Sequence, residues 1–207
     1  MRHVIFDIGG VLINYDFERL ARALAAKTGA DEGRLTPLFG LAVVRDVETG
    51  RVGPEDFFAR KMSPVLPGLS YEGWVAAWAD NYSVNEPGWE LLEDARDLGH
   101  TVSLLSNLSP YNQAAIKGRW PHFFRTPHHS FYSYDLGFHK PEPDIYRAAC
   151  AALQAEPADC LFLDDLAGNV EGAQAIGLRA IEFTNDRIPE IRAALGLSPR
   201  APEPPRT

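Results

Sequence analysis

His3-Val4-Ile5-Phe6-Asp7-Ile8-Gly9-Gly10-Val11-Leu12 is the stretch that decides the fold. The run from His3 to Phe6 is β-branched and aromatic and is bounded by glycine, the pattern of a short buried strand. It stops at one carboxylate, Asp7. Open α/β sheets bind ligands at the carboxyl ends of their strands, so Asp7 stands at a position suited to chemistry. The Gly9-Gly10 pair lets the backbone turn sharply and come close to a ligand. A purely structural Asp in a strand-to-loop turn is the competing reading.

Three later segments have the same form. Thr101–Asn107 is a strand ending in a hydroxyl and an amide, Ser106 and Asn107. Gly137–Pro143 is a loop carrying one lysine, Lys140, whose start is stiffened by Pro141 and Pro143. Cys160–Asp165 is a strand ending in two adjacent carboxylates, with Gly168-Asn169 just after. From Glu86 onward, predicted helices at 87–98, 111–117, 144–153, 169–176 and 188–195 alternate with predicted strands at 101–105, 129–133, 161–163 and 179–183. Such alternation implies right-handed crossovers and a parallel sheet, hence an α/β fold with a Rossmann-like core.

Between residues 15 and 83 no comparable strand occurs. Helices are predicted at 17–27, 54–62 and 71–82, with a turn or helix at 35–41. Phe17, Leu20, Ala21 and Leu24 share one helical face. A helical segment thus interrupts an α/β domain just after its first strand. The expected organisation is a core of residues 1–14 and 84–197, a helical insertion at 15–83, and a disordered Pro-rich tail at 198–207. Trp74, Trp78 and Tyr82 recur at helical spacing and read as insertion core rather than a sugar platform.

The chain has 207 residues, 45% of them apolar, which is enough for a core. Its net charge of −8 and lack of a basic cluster argue against nucleic acid as a partner. A negative protein that holds an anion needs a local cation, either lysine or metal. Cys150 and Cys160, the two cysteines, read as core thiols in a reducing, cytoplasmic setting. The opening apolar run is broken by Asp7 and so is no signal peptide; no stretch approaches a membrane span. His128-His129 lack the companions of a zinc site. The role of His139 and the oligomeric state stay open.

In order, Asp7, Ser106, Lys140 and Asp164-Asp165 resemble the four motifs of the haloacid dehalogenase superfamily, most of whose members are phosphatases. The resemblance covers residues 3 to 195. The opening, followed by Asp16-Phe17-Glu18-Arg19, is similar to the branch that contains α-D-glucose-1-phosphate phosphatase. It implies a Mg²⁺-dependent phosphatase acting on a small phosphorylated metabolite, a sugar phosphate being one candidate, through an aspartyl-phosphate. Asp7 would be the nucleophile, a carboxylate that splits hydrolysis into two easier steps. The resemblance makes Asp7, the Gly9 carbonyl and Asp165 the metal ligands, with Asp164 and Asn169 supporting them from behind. Carboxylates this close repel unless a cation is present, and oxygen ligands suit Mg²⁺. Ser106, Asn107 and Lys140 would bind phosphate, and Lys140 would also offset charge in the transition state. The residues alone leave a helix cap open for Ser106 and Asn107, and a solvated surface for Lys140. In the superfamily a helical insertion closes over the site as a cap and selects the substrate.

One position departs from the pattern. Most phosphatases of the superfamily carry a second Asp two residues after the nucleophile, as general acid and base, a role typically worth about 10²–10⁴-fold. Here that residue is Gly9, as in the glucose-1-phosphate phosphatase-like branch. Asp16, Tyr15, a metal-bound water or the substrate itself must then move the proton. Haloacid dehalogenases also lack that Asp but carry Tyr-Gly-Thr where this chain has Gly9-Gly10-Val11. The alternatives are therefore a metal-independent 2-haloacid dehalogenase and a phosphate-binding regulatory protein with little turnover.

Overall fold

The computed structural model describes residues 2–198, so the expected tail lies outside the described residues from residue 199 on. Strand β1 (His3–Phe6) leads into β2 (Ile13–Asn14) and then helices α1 (Phe17–Thr28), α2 (Glu32–Leu35), α3 (Leu41–Glu48), α4 (Pro54–Phe57) and α5 (Tyr71–Asn81). β3 (Ser83–Val84) returns the chain to α6 (Glu86–Asp97), β4 (Thr101–Ser106), α7 (Pro110–Arg119), β5 (His129–Tyr132) and α8 (Ser133–Leu136). The chain closes with α9 (Pro143–Leu153), β6 (Cys160–Asp164), α10 (Ala167–Gln174), β7 (Arg179–Glu182) and α11 (Ile188–Leu195).

The sheet has the order β5-β4-β1-β6-β7 and is parallel throughout, as the β–α alternation implies. β1 is central, with Phe6 opposite Leu104 on one side and Leu163 on the other. Successive side chains face opposite ways. Val4 and Phe6 pack into the core shared with the helical segment, and Ile5 joins Phe162, Leu105, Ile145 and Tyr146 on the other face. β4 and then β5 run outward on one side of β1, and β6 and then β7 on the other, which opens a crevice at the carboxyl ends of β4, β1 and β6.

The helical segment is attached through a two-residue antiparallel ribbon, Ile13 opposite Val84 and Asn14 opposite Ser83. A ribbon this short gives no periodic signal, so sequence reading does not find it. Leu20, Ala21 and Leu24 of α1 are buried as the helical face predicts, but Phe17 is not: it stays 36% exposed. Residues 35–41 prove to be the end of α2, a 3₁₀ turn at Thr36–Phe39 and the start of α3. The start of α3 is hidden because its N-cap, Gly40, offers no side-chain cap. Trp74, Trp78 and Tyr82 are buried in one aromatic cluster with Tyr111 of α7. Cys150 and Cys160 are buried free thiols, and His128 accepts the Val102 N–H. Among the described residues no helix is long and apolar enough to cross a membrane.

The turn after β1 is clamped by the start of α6. Asn85 donates its side-chain amide to the Gly10 and Val11 carbonyls at 3.1 and 2.9 Å, and its own N–H to Leu12 O at 2.9 Å. Gly88 sits so close that a Cβ there would lie 1.8 Å from Val11 O. No soft side chain can yield at that contact. Gly88→Ala should therefore destabilise the protein by about 1–3 kcal/mol, the usual cost of overpacking. Urea unfolding checks this: the midpoint should fall with an unchanged slope, and an unshifted midpoint would show that α6 can retreat at no cost.

Candidate active site

Asp7 extends β1 by one rung, its N–H donating to Leu163 O at 2.8 Å. Its carboxylate faces a buried ammonium. Lys140 is 2% exposed, and its Nζ lies 2.8 Å from Asp7 Oδ1, 2.6 Å from Asp164 Oδ2 and 3.1 Å from Leu105 O. The ammonium thus donates to the ends of β6 and β4 and forms an ion pair with the carboxylate that follows β1. Asp164 is fully buried; its other oxygen accepts from Leu166 N and Asn169 Nδ2, both at 2.9 Å. This carboxylate is spent on orienting Lys140 and the turn into α10. Asp165 is only half-buried and lies against Gly10, whose left-handed backbone (φ +70°) leaves the room: a Cβ there would be 2.1 Å from Asp165 Oδ2.

Asn107 holds the lysine by its backbone. Its side chain accepts from Lys140 N at 2.8 Å and donates to Lys140 O at 3.0 Å. The Asn107 side chain is therefore engaged with Lys140, and what Asn107 can offer an anion is its main chain. The helix cap is Ser109, whose Oγ accepts from Asn112 N at 3.2 Å, so Ser106 and Asn107 are not needed for that role. Ser106 is buried and lines the cavity.

His139, buried beside Asn107, reaches the helical segment. Its Nε2 lies 2.9 Å from Glu48 Oε2 at the end of α3 and must carry the hydrogen, because a carboxylate only accepts. Arg45 of α3 pairs with Glu142 on the same loop. α3 thus grips the loop that carries Lys140. Sequence reading missed Glu48 because nothing near it in the chain marks it; the adjacency of His139 to Lys140 was the one available signal.

The cluster has more negative than positive charge: Asp7, Asp164 and Asp165 against Lys140 alone, a formal −2. Burial, and next the Asp164 charge, push Asp7 up to about 7 against the pull of Lys140, and burial and Asp164 push Asp165 up to about 6. Ligand oxygens of the three carboxylates lie within 4.8 Å of one another. A hard divalent cation fits such a donor set and restores neutrality.

A cavity of about 200 Å³ runs from this cluster to the helical segment. Tyr15 lines it, and its ring lies over Gly9, where a Cβ would meet Tyr15 Cε1 at 2.9 Å. Partial desolvation in the cavity, and next the Asp165 and Asp7 charges, push the Tyr15 phenol above its ordinary value, although the side chain is 40% exposed at the cavity's edge. Asp16 instead caps α1, accepting the Arg19 N–H at 3.0 Å, on the exposed surface.

The profile of the haloacid dehalogenase-like hydrolases matches residues 1–177. A phosphatase of Mycobacterium tuberculosis is 30% identical over 202 residues, covering 91% of this chain and 89% of that protein. D-ribitol-5-phosphate phosphatase of Bacteroides thetaiotaomicron is 26% identical over 197 residues, covering 89% and 93%. The crystal structure of a haloacid dehalogenase family enzyme from Bacteroides thetaiotaomicron, in complex with magnesium and inorganic phosphate, superposes with a TM-score of 0.76 at 25% identity, covering 89% of this chain and 94% of that one.

Crowded carboxylates make stability depend on pH. Asp165 titrates near 3.8 when unfolded and at about 6 when folded, so the folded state holds more protons between those values. Raising the pH through that window destabilises the metal-free protein. Asp165→Asn should therefore stabilise the metal-free protein at pH 8, by on the order of 1 kcal/mol after solvent screening, and have little effect at pH 4. Thermal unfolding in chelator at both values checks this. Equal shifts at both would show that the asparagine acts through packing instead of charge.

Proposed function

The chain belongs to the haloacid dehalogenase-like hydrolases, and on that footing we propose that it is a Mg²⁺-dependent phosphatase of small phosphate monoesters working through an aspartyl-phosphate on Asp7. The observation that carries this reading is the buried Lys140 ammonium held between Asp7 and Asp164, with Asp165 within ligand reach. Asp7, Asp165 and the Gly9 carbonyl would hold Mg²⁺, which when bound supplies charge neutralisation for the phosphoryl oxygens. An Asp7 oxygen attacks phosphorus, the bond to the ester oxygen breaks, and the alcohol leaves. Water then attacks the aspartyl-phosphate, returning Asp7 and inorganic phosphate. Lys140, Ser106 and the Asn107 main chain would bind the phosphoryl group, and Lys140 aims Asp7 and opposes the upward pull of burial on its carboxyl. Asp164 and Asn169 hold Lys140 and the turn beside Asp165. Residues 15–83 would be the cap that covers the reacting centre.

The leaving oxygen needs a proton. Asp16 is spent on its helix and faces solvent, whereas Tyr15 lines the cavity over Gly9 and keeps its proton. Tyr15 fills the space that an acid at position 9 would need.

Phosphate release from a panel of monoesters, with and without Mg²⁺, tests the reading. Asp7→Asn should lower turnover to background while leaving the fold intact, since an amide is nearly isosteric but a poor nucleophile. A variant that keeps most of the wild-type rate would rule out the covalent route. For Gly9→Asp, the outcome should depend on Tyr15. With Tyr15 present the new side chain is crowded. Adding Tyr15→Ala should raise turnover of alkyl phosphates at least ~10-fold over Gly9→Asp alone, well below the general-acid ceiling. No difference between single and double variants would mean that the tyrosine ring simply swings aside.

A further inference from the structure

We propose that the alcohol part of the substrate is a compact apolar group, a branched alkyl or a small planar ring, rather than a polyol. This rests on the phosphatase reading of the same site and concerns the end of the cavity away from the carboxylates. The helical segment builds that wall from Phe17, Phe39, Leu41, Val44 and Trp78, with Tyr15 between it and the carboxylates. Opposite them α7 presents Tyr111 and Ile116.

The wall is unusual in its exposure. Among the described residues six large apolar side chains are exposed, and four of them, Tyr15, Phe17, Leu41 and Leu166, line this one cavity. Isolated exposed apolar residues need no explanation, but a cluster converging on one opening marks a binding surface. Phe17 could have turned inward with Leu20 and Leu24 on the same helix. Instead its ring lies on Tyr15, Phe39 and Trp78 at centroid distances of 5.0, 5.6 and 6.1 Å.

Free positive charge there is scarce. Among the described residues Lys140 is the only lysine or arginine lining the cavity, and it is held by the carboxylates. One Glu48 oxygen is taken by His139. The polar groups toward that end, the Tyr15, Tyr82 and Tyr111 hydroxyls, the Asn112 amide and Glu48, are set among apolar side chains. A sugar or sugar alcohol has several hydroxyls, and each one placed unpaired against Phe17, Phe39, Leu41, Val44 and Trp78 opposes binding.

The test compares esters of primary alcohols, so that leaving-group acidity is similar: 3-methylbutyl phosphate and benzyl phosphate against glycerol 3-phosphate and glucose 6-phosphate. The expected result is a kcat/KM at least ~10-fold higher for the apolar pair, in line with what a few buried methylene groups contribute to selectivity. Phe17→Ser should cut that preference several-fold while leaving inhibition by inorganic phosphate unchanged, because the phosphate end is untouched. Glycerol or glucose phosphate turned over as well as the apolar esters would overturn the inference and leave the phosphatase reading standing. Calorimetry with 3-methylbutylphosphonate and 2,3-dihydroxypropylphosphonate in Mg²⁺ separates the two claims. If no ester is hydrolysed, the phosphatase reading fails. A ~10-fold tighter apolar phosphonate would still support the apolar site, and equal affinities would overturn it.

Discussion

The ammonium of Lys140, sealed between Asp7 and Asp164, is the interaction around which the structure is arranged. Removing a charge from water is costly unless its partners are well placed, and stripping one partner from such a group leaves the other exposed to the full penalty. Here the three acceptors come from the carboxyl ends of three adjacent strands, β4, β1 and β6. The lysine therefore checks the register of the sheet's centre. It also explains why Asn107 is spent as it is. A loop lysine can fill that position only if its backbone is fixed, and the Asn107 amide fixes both the N–H and the carbonyl of Lys140.

Charge then sets what else the site needs. One ammonium does not balance three carboxylates. Asp164 resolves its share through three hydrogen bonds, whereas Asp7 and Asp165 remain crowded and hold their protons too tightly. In the proposed function, divalent cation binding and phosphoryl chemistry would both rest on this imbalance. A cluster that was already neutral would gain little from a metal.

Much of this was legible in the chain. Strand β1 and the placement of Asp7 follow from the apolar run Val4-Ile5-Phe6, which ends at a carboxylate just before two glycines. The parallel sheet follows from the alternation after Glu86. The motifs' order marked Asp7, Ser106, Lys140 and the Asp164-Asp165 pair. The rest was not legible, for physical reasons. Hydrogen-bond partners between residues far apart in the chain, such as Glu48 with His139 or Asn107 with Lys140, leave no local pattern. Phe17 has the spacing of a core residue and lies at the cavity mouth, because periodicity tells which residues share a face and not what that face meets. The ring of Tyr15 over Gly9 became visible only once β2 had turned the chain back.

The ribbon of β2 and β3 brings the two ends of the helical segment side by side, Asn14 opposite Ser83. The chain leaves the sheet domain and re-enters it through one narrow doorway. What lies beyond can be lengthened, shortened or exchanged without moving a sheet strand, because no sheet strand lies between the two ends. Inheritance can thus treat the two parts separately. Substitutions on α1 and α3 can try new leaving groups while the lysine and its carboxylates pass unchanged from parent to descendant. The contacts of α3 with the Lys140 loop set the limit, for a new insertion must still supply partners for His139 and Glu142.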